Sequence, residues 1–563
     1  AYNIGIGSNA GVLMSTGTSN VIVGGLAGDA LTTGSHNIAI GKDALGTEDT
    51  RGYNVAIGSF ALQDLNAAAD AYNVAIGYSA AKELTTGTYN TILGTQAMST
   101  GITTGDYNVA VGYKAGDTIT SGVRNTLIGS AAGDALTTGG YNVAIGMYAL
   151  SAEDGHGKNI AIGYDALKVQ NAGADAYNVA VGYDAGLAMT IGSRNTIIGA
   201  QAGDALTTGY YNTALGYQAL SSSQTGRNAV AIGYQALMTE ASTDTETYNV
   251  AVGYRAGYLV STGVQNVFIG GSAGDAYTTG GQSVGIGFEA LSTEDDHGGS
   301  TAIGYRALKM QDSGAANKNV AVGYNAGTNV TTGVESVFIG GGAGDAVTTA
   351  SANVAIGYNA LSTEDTMGNN VAVGYKALQD LNAGENGNTV AIGAEAGRRL
   401  STGVKNTIVG ALAGDHLTSG NYNVAIGYQA LTLEDAHGRN VAVGYNTLRD
   451  LNAGADAYNI AIGYEAGKTV STGIRNVLIG GDAGITMTSA SYNIAIGYNA
   501  LGDEITNSHN VAIGDASMSS SEYSAKNVAI GSNTLQNVTN GSSTDTYNTA
   551  IGYNAGMNIT TAI

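Results

Sequence analysis

Six histidines, His36, His156, His297, His416, His437 and His509, are the side chains whose ordinary titration lies nearest neutrality. Three of them close acidic runs: Glu153-Asp154-Gly155-His156, Glu294-Asp295-Asp296-His297 and Glu434-Asp435-Ala436-His437. Carboxylates beside an imidazole are the raw material of a cation site, and the segments that follow bring Asp380 or Asp450 to a nearby loop position, so oxygen-rich Ca²⁺ binding is one reading. The Asp-x-Asp-x-Asp-Gly order of a calcium loop and the Gly-Gly-x-Gly-x-Asp order of calcium-binding β-rolls are both absent. Solvated acidic loops without a metal are therefore expected. No histidine sits in a Ser/His/Asp, His-Glu-x-x-His or Gly-x-Ser-x-Gly setting. Strings such as Gly340-Gly341-Gly342 lack the strand-to-helix context and downstream acid of a dinucleotide site. The absence of Cys removes thiol catalysis, thiolate metal sites and disulfides. The expectation is a chain with no catalytic residues and no cofactor.

Tyrosine is the more suggestive residue. Of 34 Tyr, sixteen follow a recurring motif Gly and thirteen precede the motif's first residue, so stacked copies align them in columns. Tyr78, Tyr164, Tyr254 and Tyr428 mark a candidate surface-binding column. Such rings either form a ladder that seals corners while keeping the hydroxyl wet, which is the expectation here, or stack on sugar rings of a glycan. Thr pairs such as Thr32-Thr33, Thr137-Thr138 and Thr207-Thr208 invite an ice-binding reading, but they precede Gly in turns and give way to acidic loops elsewhere.

The scaffold that must position these residues is compositionally biased. Among 563 residues there are 87 Gly, no Pro, Cys or Trp, 12% charged residues and a net charge of −22. An ordinary domain carries roughly 5% Pro and about 25% charged residues. Hydrophobic content of 44% with so little charge lies far from the disordered class. The acidic balance argues against nucleic acid as a partner, and no stretch approaches the roughly 18 apolar residues of a membrane span. The run from Ala1 and the stop at Ala562-Ile563 partway through the pattern suggest a segment of a longer chain.

That pattern is a repeat. Its unit, Asn-Val-Ala-Ile-Gly-Tyr-x-Ala-(Gly/Leu), recurs 32 times from Asn3 to Asn548, mostly 17 residues apart, as in Asn54-Val55-Ala56-Ile57-Gly58 and Asn353-Val354-Ala355-Ile356-Gly357. The first residue is Asn in 27 copies and Ala229, Ser283, Ser300, Ser336 or Thr389 in the others. First residues at 108, 178, 249, 319, 389 and 459 define a four-copy super-repeat of about 70 residues. Its second member carries Ala-Gly-Asp, its third an acidic loop such as Thr363-Glu364-Asp365, and its fourth a longer loop such as 450–456.

Seventeen residues are too few for paired helices, and the Val-Ala-Ile cluster is β-branched. The expected coil is a strand of about five residues, a Gly turn, a second short strand through Tyr-x-Ala-Leu and a Thr-Thr-Gly turn. The whole is all-β, one continuous parallel β-solenoid over 1–563. Alternation puts Val55 and Ile57 on one face, expected inside, and Asn54, Ala56 and Gly58 on the other, where a second or third chain is expected to approach. The same holds for Val354 and Ile356 against Asn353 and Gly357. Asn should form a ladder of side-chain amides from coil to coil and tolerate the tight turn. Thirty-one steps at roughly 4.8 Å make a rod on the order of 150 Å, and Pro is absent because strands with two neighbours cannot spare an N–H.

The Asn-x-(Ala/Val)-Ile-Gly run resembles the head repeats of YadA-like trimeric autotransporter adhesins, a left-handed parallel β-roll. Asn353-Val354-Ala355-Ile356-Gly357-Tyr358-Asn359-Ala360-Leu361 is similar to repeats of bacteriophage and marine viral tail fibres. The resemblance covers essentially the whole chain. It implies a homotrimer that displays rather than catalyses: the structural shaft or head of an extracellular or virion fibre, supporting attachment to a cell-surface glycan or protein receptor. A bacterial trimeric surface adhesin or a filament-forming matrix protein is the alternative, and an ice- or glycan-binding solenoid a further one. The 17-residue unit departs from the shorter adhesin repeat, and no stalk coiled coil, anchor or C-terminal chaperone follows within the sequence.

Overall fold

The computed structural model describes residues 2–241, 246–314 and 316–559; the terminal residues 1 and 560–563, on which the reading of an interrupted pattern rests, lie outside them. Each motif copy contributes one three-residue strand, and within each of the two units described below the strands pair in parallel with their neighbours in strict register, as Val354, Ala355 and Ile356 do with Val371, Ala372 and Val373. The result is an all-β parallel solenoid of about 17 residues per coil, with no helix among the described residues and hence none long and apolar enough to cross a membrane. Two compact units divide it, Ala1–Gln282 and Ser283–Ile563. Sixteen motif strands lie in each, β1 (Ile4–Ile6) to β16 (Val267–Ile269) and, from β17 (Val284–Ile286) on, their counterparts. The irregular end of the second unit adds a three-stranded sheet of Glu522–Ala525, Asn537–Asp545 and Asn558–Ile559.

Two local expectations are corrected. The strand has three residues, not five, and Tyr-x-Ala-Leu is a turn rather than a second strand. In that turn Asn359 and Leu361 both lie in the left-handed region, with φ of 50° and 51°. The conformation is tolerable because neighbouring coils hold each N–H: Asn359 donates to Gly341 O at 3.0 Å and Leu361 to Ala377 O at 3.0 Å. Val354 N–H donates to Asn370 O at 2.8 Å, in the next coil, and Gly357 N–H to Ile339 O at 2.7 Å, in the previous one. Strands and turns alike thus need their N–H groups, which leaves little room for Pro.

The orientation of the strand is the reverse of the expected one. Asn54, Ala56, Asn353 and Ala355 are wholly buried, while Val55, Ile57, Val354 and Ile356 are only partly covered and point outward. The reason is volume. Leucines at the corners, such as Leu62 and Leu361, already occupy the coil interior together with Asn, so the strand can send in no more than a methyl group. The close approach inferred for the Ala/Gly face is real but comes from the same chain. A Cβ on Gly58 (φ +134°) would lie 2.2 Å from Gly77 O, and one on Gly357 (φ +134°) 2.3 Å from Gly374 O.

The second coil of each super-repeat shows the same constraint inverted. Its corner residue is Gly instead of Leu, and its strand centre is large: Leu127, Ile197, Phe268, Phe338, Ile408 or Leu478, all buried. A Cβ on Gly344 would fall 2.2 Å from Phe338 Cδ1. A Cβ on Gly327, the corner of the preceding coil, would lie 2.8 Å from Phe338 Cδ2, so one large ring fills the space beside two glycine corners.

Candidate functional site

The buried amide ladder is the scaffold's spine. Asn54 N–H donates to Asn37 Oδ1 at 3.0 Å and Asn37 N–H to Asn20 Oδ1 at 2.9 Å, while Asn Nδ2 groups donate to carbonyls fourteen residues on, as Asn20 does to Gly34 O at 2.8 Å. The turn conformation falls on the residue before the Asn, such as Tyr53 with φ 63°, not on the Asn itself. Ser336 and Thr389 stand in by hydroxyl, accepting from Asn353 N–H at 3.1 Å and Asn406 N–H at 3.4 Å. Ala229 has no oxygen to offer.

Outside, in each unit, the first and third residues of the motif strands form a double row in which every side chain is Val, Ile, Leu or Thr. No charge interrupts it, although the chain as a whole carries −22. Parallel sheets normally have both faces covered, and apolar patches of this continuity mark contact surfaces.

Beside that row runs the first tyrosine column. Tyr78, Tyr164, Tyr254 and Tyr428 are all exposed. Tyr164 stacks on Tyr183 at 5.3 Å, Tyr254 on Tyr234 at 5.3 Å and Tyr428 on Tyr445 at 5.4 Å, whereas Tyr78 meets Phe60 edge-on at 5.9 Å. The column is thus a ladder whose ring edges and hydroxyls face water. The second column, before the Asn, stacks His36, Tyr53, Tyr72, Tyr89 and Tyr107 at 5.0–5.2 Å. It then alternates with cations: Arg124 lies 5.5 Å from the Tyr107 ring and 5.4 Å from Tyr141. Lys158 and Arg439 in this column are paired with Asp175 and Asp456, so part of its positive charge is internally met.

The acidic corners differ from the solvated loops expected. Glu153, Glu294, Glu364 and Glu434 are fully buried. Each Oε1 caps the turn by accepting the N–H three residues on: His156 at 3.2 Å, His297 at 3.2 Å, Met367 at 3.0 Å and His437 at 3.1 Å. The second oxygen of Glu364 and Glu434 accepts from Ala383 and Ala453 of the following coil, both at 3.4 Å. The flanking Asp and His side chains reach solvent, while the Glu does not. Glu, Asp and His ligand atoms do lie within 4.8 Å of one another in three of these corners. The same cap is built at Glu364 with Met367 in place of His, so turn geometry alone accounts for the arrangement. Burial raises the carboxyls of all four. Glu153, whose Oε2 accepts no hydrogen bond, is pushed up to about 7, and Glu504, with the same vacancy, likewise. This pairing of turn cap and inter-coil clamp escaped sequence reasoning; the one available signal was its recurrence at a fixed place in the third coil.

A cleft is lined by Leu412, Asp415, His416, Thr432, Leu433 and Arg449. Its charges are satisfied locally, Arg449 by Asp450 at 2.7 and 2.8 Å and Asp415 by Arg398 at 3.2 Å. Compared with protein families and with curated proteins, the chain matches none.

Proposed function

We propose that the chain is a non-enzymatic shaft or head segment of an extracellular fibre of the viral tail-fibre kind, assembled as a left-handed homotrimer and supporting attachment to a host cell surface. The observation that carries this reading is the outward double row of Val, Ile, Leu and Thr. A parallel sheet whose second face is apolar and uncovered calls for a cover. A net charge of −22 opposes self-association, and the opposition is least at a surface free of charge, which this row is. Two further copies of the chain, each offering the same row, would bury all three. The hydrogen-bonded coils then serve as a stiff spacer, with attachment groups carried along or beyond them.

Light scattering on the purified chain tests the assembly. A mass of three times 56.3 kDa supports it, and Ile356→Asp together with Ile339→Asp and Val373→Asp should lower that mass. A stable monomer at all accessible concentrations would remove the basis for a trimeric fibre.

A further inference from the structure

The first tyrosine column is interrupted where a coil carries no side chain to continue it. Tyr305 and Tyr324 stack at 5.1 Å, Tyr358 and Tyr375 at 5.9 Å, and the coil between supplies only Gly340-Gly341-Gly342. With coils about 4.8 Å apart, the rings of Tyr324 and Tyr358 stand on the order of 10 Å from each other, twice the ladder's own step. The vacancy is that of one six-membered ring. Tyr324 is 62% exposed against 36% for Tyr305, because no following ring covers its outer face. The interruption recurs at Gly481, between Tyr464 and Tyr498.

The floor of the first gap is polar and short of donors. A Cβ on Gly342 would lie 2.5 Å from Asn359 Oδ1 and 3.6 Å from Asp345 Oδ2, so both oxygens border the bare backbone. Asp345 Oδ1 and Asn325 Oδ1 lie buried beneath them without a hydrogen-bond partner, so the acceptors open to a ligand are Asn359 Oδ1 and Asp345 Oδ2. The backbone there is already committed, Gly342 N–H donating to Tyr324 O at 2.9 Å and Gly341 O accepting from Asn359 N–H at 3.0 Å. Two aromatic walls and a set of acceptors suit a ligand that is ring-sized, flat-faced and rich in hydroxyl donors. The Asp345 carboxylate and the net charge of −22 disfavour an anionic one.

We infer that the gaps at Gly341 and Gly481 are saccharide slots, each taking one neutral pyranose ring between Tyr324 and Tyr358 or between Tyr464 and Tyr498. The inference deepens the attachment reading and rests on it only for the source of the sugar, a cell-surface glycan. Single-ring contacts are weak, and two slots per chain, multiplied by copies, would make attachment multivalent.

The gap can be filled without disturbing the coil. A Cβ at Gly341 meets Tyr358 Cδ2 at 3.5 Å and one at Gly481 meets Tyr498 Cδ2 at 3.4 Å, ordinary contacts, and Tyr occupies this position in sixteen coils. Saturation-transfer NMR on the full chain, with methyl β-galactopyranoside, methyl β-glucopyranoside and N-acetylneuraminic acid as probes, should show transfer to ring protons of at least one neutral glycoside and none to the acid. The signal should vanish in G341Y/G481Y and fall in Y324A. Absence of transfer to either neutral glycoside, transfer that survives G341Y/G481Y, or displacement of the sugar by p-cresol at lower concentration overturns the slots; the last outcome would assign them to an aromatic side chain. Light scattering on the same samples separates the two proposals, since a trimer without transfer sinks the slots alone and a monomer with transfer sinks the fibre alone.

Discussion

In the coil of Val337–Ile339 the strand centre is Phe338 and the next corner is Gly344; one coil on, in Val354–Ile356, the strand centre is Ala355 and the corner is Leu361. Phe338, Ala355 and Leu361 are all fully buried, yet the bulk enters from opposite sides. The difference teaches that the coil specifies a total volume rather than a residue at a position. It also explains why the outward residues are large: whatever the small interior cannot take must go outside or be absent.

The sharpest way to break this comparison is at the glycine common to both coils. Gly357→Ala should cost on the order of 4 kcal/mol or more, because its Cβ would meet Gly374 O at 2.3 Å with φ at +134°. Chemical denaturation followed by circular dichroism reads the loss. Phe338→Ala should cost about 3–5 kcal/mol by emptying the interior. Adding Gly344→Leu, which copies the neighbouring coil's solution, should recover most of that, a non-additivity measurable in a double-mutant cycle. If the double variant is no better than Phe338→Ala, the two coils are not alternatives for one volume.

Asn353→Ala should cost roughly 1–3 kcal/mol, since it strips the acceptor from Asn370 N–H, now at 3.0 Å. Asn353→Ser should cost less, because Ser336 performs the same task one coil earlier. The acid corners add a pH dependence with a definite sign. Glu153 and Glu504 have folded pKa values of about 7, above the ordinary 4.5. Between those values the folded state holds more protons than the unfolded one, so stability from these groups is present at low pH and lost as pH rises towards 7. Thermal unfolding should therefore shift upward on moving from about pH 7.5 to about pH 5, and Glu153→Gln should flatten that slope. The smallest effect on folding is expected outside: Ile356→Thr should stay within about 0.5 kcal/mol for the isolated coil while weakening association.

The period, the parallel stacking and the Asn ladder were legible because each rests on repetition, and Asn54 or Asn353 announces its role by its fixed place. The facing of Val55 and Ile57 was not. The rule that larger aliphatic residues turn inward presumes a core with room, and only the Leu at a left-handed corner, a conformation sequence rarely signals, shows that there is none. The Glu corners were misread for a related reason: Glu-Asp-x-His looks like surface, and the two backbone N–H donors that make the Glu a buried clamp belong to its own turn and to the next coil. The gap at Gly341 was visible as three glycines but acquires meaning only when the rings above and below are stacked.

The central claim is that the outward Val/Ile row is where copies of the chain meet. With no native Cys, Ile356→Cys and, as control, Thr366→Cys on an exposed loop can each carry a single spin label. Dipolar coupling between labels should be strong at position 356 and weak or absent at 366. Labels at 356 that show no coupling in a sample of the intact chain would contradict the account.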